Sequence, residues 1–172
     1  MKFNDILLEI DEETCLYDLV IEQDGDFKKT NSFITALILS FFCERRASVS
    51  EIPEVYRRRG WIGNINRLVE YGSKLWLLEQ QRLTNETVNK ARTYIEQALE
   101  WLVEFDYLSQ VTVTSSKDID VIRENFVASD CIGVNLERDL ENQALIAQIV
   151  LTIGGSEELR RNIILWQNTR AA

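Results

Sequence analysis

The sequence lacks several residue types on which many enzyme active sites depend. Its 172 residues include no histidine, one proline and one methionine. Without histidine, the Ser-His-Asp and Cys-His nucleophile systems, histidine zinc ligands and the commonest general base are all excluded. The turn-like Asp24-Gly25-Asp26 lacks the further ligands of a calcium loop. We therefore expect no enzymatic activity, no metal site and no cofactor.

Cysteine is also scarce. The three cysteines, Cys15, Cys43 and Cys131, are far apart and odd in number. This usage favours reduced, buried thiols over a disulfide framework.

Long apolar runs are missing as well. The longest, Ala36 to Cys43, is interrupted by Ser40 and falls far short of the roughly 18 residues that a membrane span needs. Acidic residues interrupt the segment after Lys2, so no secretory signal is visible. We expect a protein that folds in the cytosol and does not enter a membrane.

Positive charge is in deficit, with 19 lysines and arginines against 28 aspartates and glutamates, a net charge of −9. Phosphate backbones repel such a surface, so we expect no nucleic-acid partner. The dense basic groups are Glu44-Arg45-Arg46 and Arg57-Arg58-Arg59. They stand out against the acidic background.

Two helices are predicted. The first, about Ser32 to Cys43, is apolar on nearly every side, which indicates a helix that is buried and central. The second begins at a cap, either Thr84 or Asn85, and ends at about Phe105. Its apolar positions recur at steps of three and four, as in an amphipathic helix lying on a core. These positions are Val88, Ala91, Ile95, Ala98 and Leu102.

Strand signals lie on both sides of the helices. Asp5 to Ile10 and Cys15 to Glu22 are strand-like, as are Val111 to Thr114 and Ile132 to Leu136. Asp118 to Phe126 is compatible with a short helix. Ala144 to Ile153 and Leu159 to Trp166 form a C-terminal hairpin around a Gly154-Gly155 turn. The pattern predicts one α+β domain over residues 1–172, with two or three helices packed on a mostly antiparallel sheet.

The arginines and nearby tryptophans have two interpretations each. Arg45-Arg46 either stabilises the negative end of the first helix or pairs with carboxylates of this chain or of a partner, as Arg57-Arg58-Arg59 can also do. Trp61 and Trp76 either complete the core or belong to an interface. Composition alone leaves both pairs of alternatives open.

A series of short motifs follows one order along the chain. It consists of Glu44-Arg45-Arg46, Arg59-Gly60-Trp61, Gly72 to Leu78, Ala98 to Val103 and Val111 to Val113. In this order the series resembles the baseplate wedge family of Mu-like contractile-tailed phages, relatives of the sheath initiators. The resemblance extends over roughly half of the chain.

The resemblance implies a structural subunit of the tail baseplate, made and assembled in the host bacterial cytoplasm, with about six copies per baseplate. It implies three kinds of partner: a larger wedge protein, the sheath protein, and proteins of the tail tube and central spike. Sheath strands would add to an edge of the C-terminal hairpin. The candidate partner-binding residues are Arg45, Arg46, Arg57, Arg58, Arg59, Trp61, Ile149, Leu151, Ile163 and Leu165.

Two other classes of function remain open. Relatives within the same broad fold superfamily include a regulatory anti-adaptor, which sequesters another protein. An acidic muramidase would need two carboxylates about 5 to 10 Å apart, one with a raised pKa, and no motif marks such a pair.

Overall fold

A computed structural model of the chain describes residues 4–10, 17–66, 70–79, 81–115, 130–141, 143–153 and 156–167. The chain divides into two compact units, Met1–Ser40 and Phe41–Ala172. That residues 1–172 act as one domain stays a prediction.

The first unit is built from two short antiparallel strand pairs. Strand β1 (Asn4–Ile6) pairs with β4 (Lys29–Asn31), and β2 (Leu8–Ile10) pairs with β3 (Tyr17–Leu19). A tight turn follows β3, where Gly25 has φ +85° and donates its N–H to the carbonyl of Glu22 at 3.0 Å. The turn predicted at Asp24-Gly25 is confirmed, whereas Cys15 lies outside the described residues.

Helix α1 (Ser32–Phe42) begins directly after β4 and ends one residue before the predicted limit. Leu37, Ile38 and Phe41 are buried, as the apolar sequence predicts. The prediction that the helix is buried on every side is wrong, however, because Leu39 is 47% exposed and Phe42 is 38% exposed. An apolar residue at the surface of a helix is ordinary by itself.

Helix α2 (Asn85–Glu104) lies in the second unit and has the predicted cap and the predicted apolar stripe. The Thr84 side chain accepts a hydrogen bond from the backbone N–H of Thr87 at 3.2 Å, which satisfies one of the free donors of the first turn. The stripe residues Val88, Ala91, Ile95, Ala98 and Leu102 are all buried. The helix packs against β5 (Gln110–Thr114).

The second unit contains a four-stranded sheet in the order β5-β6-β7-β8. Strands β6 (Cys131–Asp139), β7 (Ala144–Ile153) and β8 (Ser156–Gln167) are antiparallel neighbours, which confirms the C-terminal hairpin and the mostly antiparallel α+β fold. The pair β5-β6 is parallel, so a crossover must join these two strands. The possible helix at Asp118 to Phe126 and the Gly154-Gly155 turn lie outside the described residues.

Candidate functional site

The end of α1 is joined to the segment around Ser73 by a short ladder of backbone hydrogen bonds. The N–H of Ser73 donates to the carbonyl of Cys43 at 2.9 Å, and the N–H of Arg45 donates to the carbonyl of Ser73 at 2.8 Å. The Ser73 hydroxyl also donates to the carbonyl of Phe41. The first and third motifs of the series are therefore in direct contact, although about thirty residues separate them.

Gly72 makes this contact possible. Its φ of +101° lies in a region that side chains disfavour, and a Cβ at this position would collide with the carbonyl group of Cys43. The two segments approach more closely than any other residue type would allow. The backbone conformation and the close contact at the first position of the Gly-Ser-Lys-Leu-Trp motif therefore require glycine there.

The Arg59-Gly60-Trp61 turn joins the same junction through Glu44. The backbone N–H of Trp61 donates to the Glu44 carbonyl at 2.7 Å, and Nη1 of Arg59 lies 2.9 Å from Oε1 of the Glu44 carboxylate. The Arg59 guanidinium also lies 5.3 Å from the centre of the Trp76 ring, within cation–π distance. All three motifs consequently meet at one place, which we call the arginine–tryptophan junction (residues 43–46, 59–61 and 72–76).

Arg45 and Trp76 also make contacts inside the chain. Arg45 is half-buried, with Nε 3.3 Å from Oε2 of Glu70 and Nη1 3.5 Å from the carbonyl of Gln97. Trp76 donates its indole N–H to the Arg45 carbonyl at 3.0 Å. Arg45 thus has carboxylate and carbonyl acceptors within its own chain. One interpretation of the sequence was that Arg45 only stabilises the end of the first helix.

Three other arginines differ from Arg45 and Arg59, because the described part of the chain offers them no ion-pair partner. Within the described ranges, no carboxylate lies within ion-pair distance of Arg46, Arg57 or Arg58. Arg46 and Arg57 are exposed, while Arg58 is half-buried and its Nε is shielded from solvent without an acceptor. In a chain of net charge −9, these positive groups form a local exception.

Large apolar side chains are exposed in the same loop as Arg57 and Arg58. Tyr56 is 88% exposed and Ile62 is 77% exposed, and Trp61 beside them is 41% exposed. An open groove of about 630 Å³ lies next to this surface, with Tyr56, Arg57 and Trp76 among its lining residues. Sequence reasoning chose Trp61 and the arginines as partner-binding candidates but missed Tyr56. The position of Tyr56 in a polar loop, between Val55 and Arg57, was the signal that could have identified it.

Sequence reasoning also missed Glu51, a carboxylate that lines the same groove and joins its loop to Lys74 and to α2. Glu51 lies 2.8 Å from Nζ of Lys74 and accepts hydrogen bonds from Ser48 and from the Tyr94 hydroxyl of α2. Partial burial by itself raises the pKa of Glu51, but the hydrogen bonds from Lys74 and Ser48 and the Lys74 charge outweigh it and lower the pKa to about 2. Burial, followed by the charge of Glu51, raises the pKa of Tyr94 to about 12.

The candidate residues of the hairpin occupy a different environment. Ile149 and Leu151 on β7 are buried, as are Ile163 and Leu165 on β8, so their side chains pack within the chain. Strand β7 is hydrogen-bonded on both sides, while β8 pairs with β7 alone among the described strands. Their contact with a partner stays a prediction, and of these two strands β8 is the one with an edge that no described strand covers.

The described residues contain no cluster of three or more metal-ligating side chains. No helix in the described part of the chain is long and apolar enough to cross a membrane. Cys131 is buried and Cys43 is half-buried, and burial raises the pKa of the Cys43 thiol.

The comparisons with known proteins agree with the motif series. The family model of phage protein GP46 matches residues 33–151, which include every motif of the series. The baseplate protein gp46 of Escherichia phage Mu is 39% identical over 100 residues, covering 56% of this chain and 69% of that protein. The Mu-like prophage FluMu protein gp46 of Haemophilus influenzae is 34% identical over 87 residues, covering 50% of this chain and 58% of that protein.

No solved structure gives a significant match. The resemblance to a Mu-like baseplate family is confirmed by both relatives and by the family model, because the match covers more than half of the chain. The chain belongs to the phage protein GP46 family.

Proposed function

We propose that this protein is a structural subunit of a phage tail baseplate, and that it acts as a wedge component and sheath initiator in a contractile tail. The similarity to the baseplate protein gp46 of Escherichia phage Mu supports the baseplate role. The observation that carries the proposal is the surface beside the junction, where Arg46, Arg57 and Arg58 have no carboxylate partner among the described residues and where Tyr56 and Ile62 are exposed in the same loop as Arg57 and Arg58. Such a surface suits binding to another protein.

The chemistry of this surface indicates a partner with carboxylates around an apolar patch. Arginine binds carboxylates in two-point contacts, and arginine, tyrosine and tryptophan are the residue types most enriched at interface hot spots. The larger wedge protein of the baseplate is the proposed partner. Its carboxylates would meet Arg46, Arg57 and Arg58, while Arg59 stays paired with Glu44 and keeps the turn in place.

Sheath initiation is proposed to occur at the free edge of β8. Strand β8 is 12 residues long, and about half of its backbone donors and acceptors point away from β7 in an antiparallel ladder. An incoming strand of the sheath protein would satisfy these groups by β-augmentation. The buried side chains of Ile163 and Leu165 would stay in the core, and the contact would use the backbone.

We also propose that the baseplate assembles in the host cytoplasm, around the tail tube and central spike. With about six copies around the tail axis, weak contacts at each copy would add up to a stable ring through avidity.

The test is complementation of a phage or prophage that lacks this gene. The Arg46→Glu/Arg57→Glu double variant reverses two exposed charges without touching the core, so we expect a folded protein that no longer enters tails. Lys90→Glu is the matched control, because Lys90 is an exposed cation on α2 that pairs with Glu86 within its own helix. Incorporation is measured by mass spectrometry of purified particles and by negative-stain microscopy.

Contractile tails that assemble without this protein would refute the baseplate role. Particles that incorporate the double variant as well as wild type would refute the arginine surface alone. Recovery of a one-to-one complex with a host protein, together with absence from particles, would favour the anti-adaptor alternative.

A further inference from the structure

The fourth motif of the series, Ala98 to Val103, lies in the last part of α2 and leads into an exposed surface. Within this motif Val103 is 37% exposed, although the apolar stripe of the helix is buried. Phe105 and Tyr107, which follow the helix, are 50% and 55% exposed. Large apolar and aromatic side chains therefore gather where the helix ends.

Three aromatic rings give this surface a defined shape. The centre of the Trp101 ring lies 5.2 Å from that of Tyr71 and 5.7 Å from that of Tyr107, and the rings meet edge to face at 69° and 71°. Ring pairs in this geometry attract each other, which holds Tyr107 in place. The face of an aromatic ring is negative, so the exposed Tyr107 ring offers a contact to a cation.

Carboxylates at the same helix end add negative charge. Glu100, Glu104 and Asp106 are exposed, and no described lysine or arginine lies within ion-pair distance of them. The last turn of α2 contains no basic residue, and Arg45 contacts the helix about two turns earlier, at the carbonyl of Gln97. Negative side chains at the C-terminal end of a helix destabilise it, because the helix dipole is negative there. The described part of the chain thus leaves this charge without a counter-charge.

The backbone does not require the carboxylate of Asp106. This residue has φ +56°, in the left-handed region, which asparagine and glycine adopt as well without adding a charge. The turn after α2 would therefore form with a neutral residue, and the negative charge needs another explanation.

An open groove gives a partner access to this helix end. It has a volume of about 500 Å³, and Glu100 and Val103 of α2 line it together with residues of β5. Arg92, the cation in its lining, is already paired with Glu96 at 2.9 Å. A cation that enters from outside would consequently meet Glu100 unpaired.

We propose that this surface, which we call the aromatic–acidic end of α2 (residues 71 and 100–107), binds an arginine side chain of a different protein. The planar guanidinium stacks on aromatic rings and donates two parallel hydrogen bonds to a carboxylate, which lysine cannot do. A second copy of this chain is disfavoured, because copies of net charge −9 repel each other. The proposal rests on the proposed function only for which protein supplies the arginine.

The surface itself can be tested with a small probe. N-acetyl-arginine methylamide carries the guanidinium, and its citrulline counterpart has nearly the same shape without the charge. Each is titrated into the ¹⁵N-labelled full-length protein, and NMR follows the amide signals of Glu104, Asp106 and Tyr107 and the indole N–H of Trp101.

We expect saturable shifts with the arginine probe and about fivefold weaker binding of the citrulline probe, the factor that one exposed cation–π contact and one exposed ion pair supply together. Glu104→Gln/Asp106→Asn should remove this preference and raise the melting temperature by about 1–4 °C, because negative charge leaves the helix end. Tyr107→Leu should weaken binding of the arginine probe about threefold. The matched control, Glu22→Gln/Glu141→Gln, removes two exposed carboxylates elsewhere and should leave the preference unchanged.

Equal binding of both probes, or no saturable shift with either, would overturn the proposal. So would a Glu104→Gln/Asp106→Asn variant that binds as wild type does, or one that melts at a lower temperature, since the carboxylates would then serve the fold itself. If sedimentation shows that the purified protein self-associates and that this variant does not, the partner is a second copy and the choice of a different protein is wrong.

These measurements need no phage particles. Their failure leaves the wedge proposal intact, and failure of complementation leaves the aromatic–acidic end of α2 intact, so the two are separately decided.

Discussion

Replacing Gly72 by alanine tests whether the arginine–tryptophan junction depends on one close backbone approach. A non-glycine residue held at φ +101° is strained by about 1–3 kcal/mol. The new methyl group would also push the Cys43 carbonyl away from its hydrogen bond with Ser73, at about 1 kcal/mol for each of the two ladder bonds disturbed. The expected loss is therefore about 3–5 kcal/mol, a large fraction of the 5–15 kcal/mol typical of a folded protein.

Gly25 provides the matched control. It also has positive φ, +85°, but a Cβ there would meet nothing within 4 Å, so Gly25→Ala has backbone strain without a collision. Urea unfolding followed by far-UV circular dichroism measures both losses, and each kcal/mol should lower the melting temperature by about 2–4 °C for a chain of this size. If Gly72→Ala is no more destabilising than Gly25→Ala, the close approach does not limit residue choice and the reasoning fails.

Three further predictions concern neighbouring groups. The pKa of Glu51 is about 2 in the folded state and 4.5 ordinarily. Its ion pair therefore stabilises the fold fully above pH 4.5, and this stabilisation is lost as the pH falls from 4.5 toward 2. Glu51→Gln should therefore cost about 1 kcal/mol near neutral pH, after discounting for solvent screening, and nothing near pH 2; a pH-independent difference in urea unfolding would contradict this. Gly63→Ala should displace the Trp61 ring, which lies where the new methyl would be, so an unchanged tryptophan emission spectrum would refute the contact. Thr84→Ala should destabilise the protein by about 1 kcal/mol in thermal unfolding, and no loss would mean that the cap of α2 is redundant.

Local features of the fold could be predicted because their causes lie close together in sequence. Helix α2 follows from one capping threonine and an apolar stripe at helical spacing, and both are found where the sequence indicates. The parallel pairing of β5 with β6 could not be predicted, since strand periodicity shows which residues share a face but not which strand is the neighbour. The surface exposure of Leu39 and Phe42 was missed for the same reason: an apolar residue does not reveal whether a partner covers it.

The candidate site, like the fold, could be predicted only in part from the sequence. The arginine clusters and Trp61 were visible as unusual sequence, but their convergence depends on contacts between residues separated by 15 to 32 positions. No local rule predicts that Arg59 pairs with Glu44 while Arg57 stays unpaired. Likewise, the sequence of β6 gave no signal that Asn135 would be buried with an amide oxygen that has no partner among the described residues.

The parallel pair β5-β6 has a consequence for the order in which the protein folds during synthesis. Strands β6, β7 and β8 are successive in sequence and can zip together as soon as they leave the ribosome, whereas β5 is made earlier and must wait for its neighbour. Closing the crossover costs chain entropy before any contact rewards it, which makes this step slow. We expect α2 and β5 to remain exposed until β6 docks, so strands that are translated later complete the sheet against which the earlier helix packs.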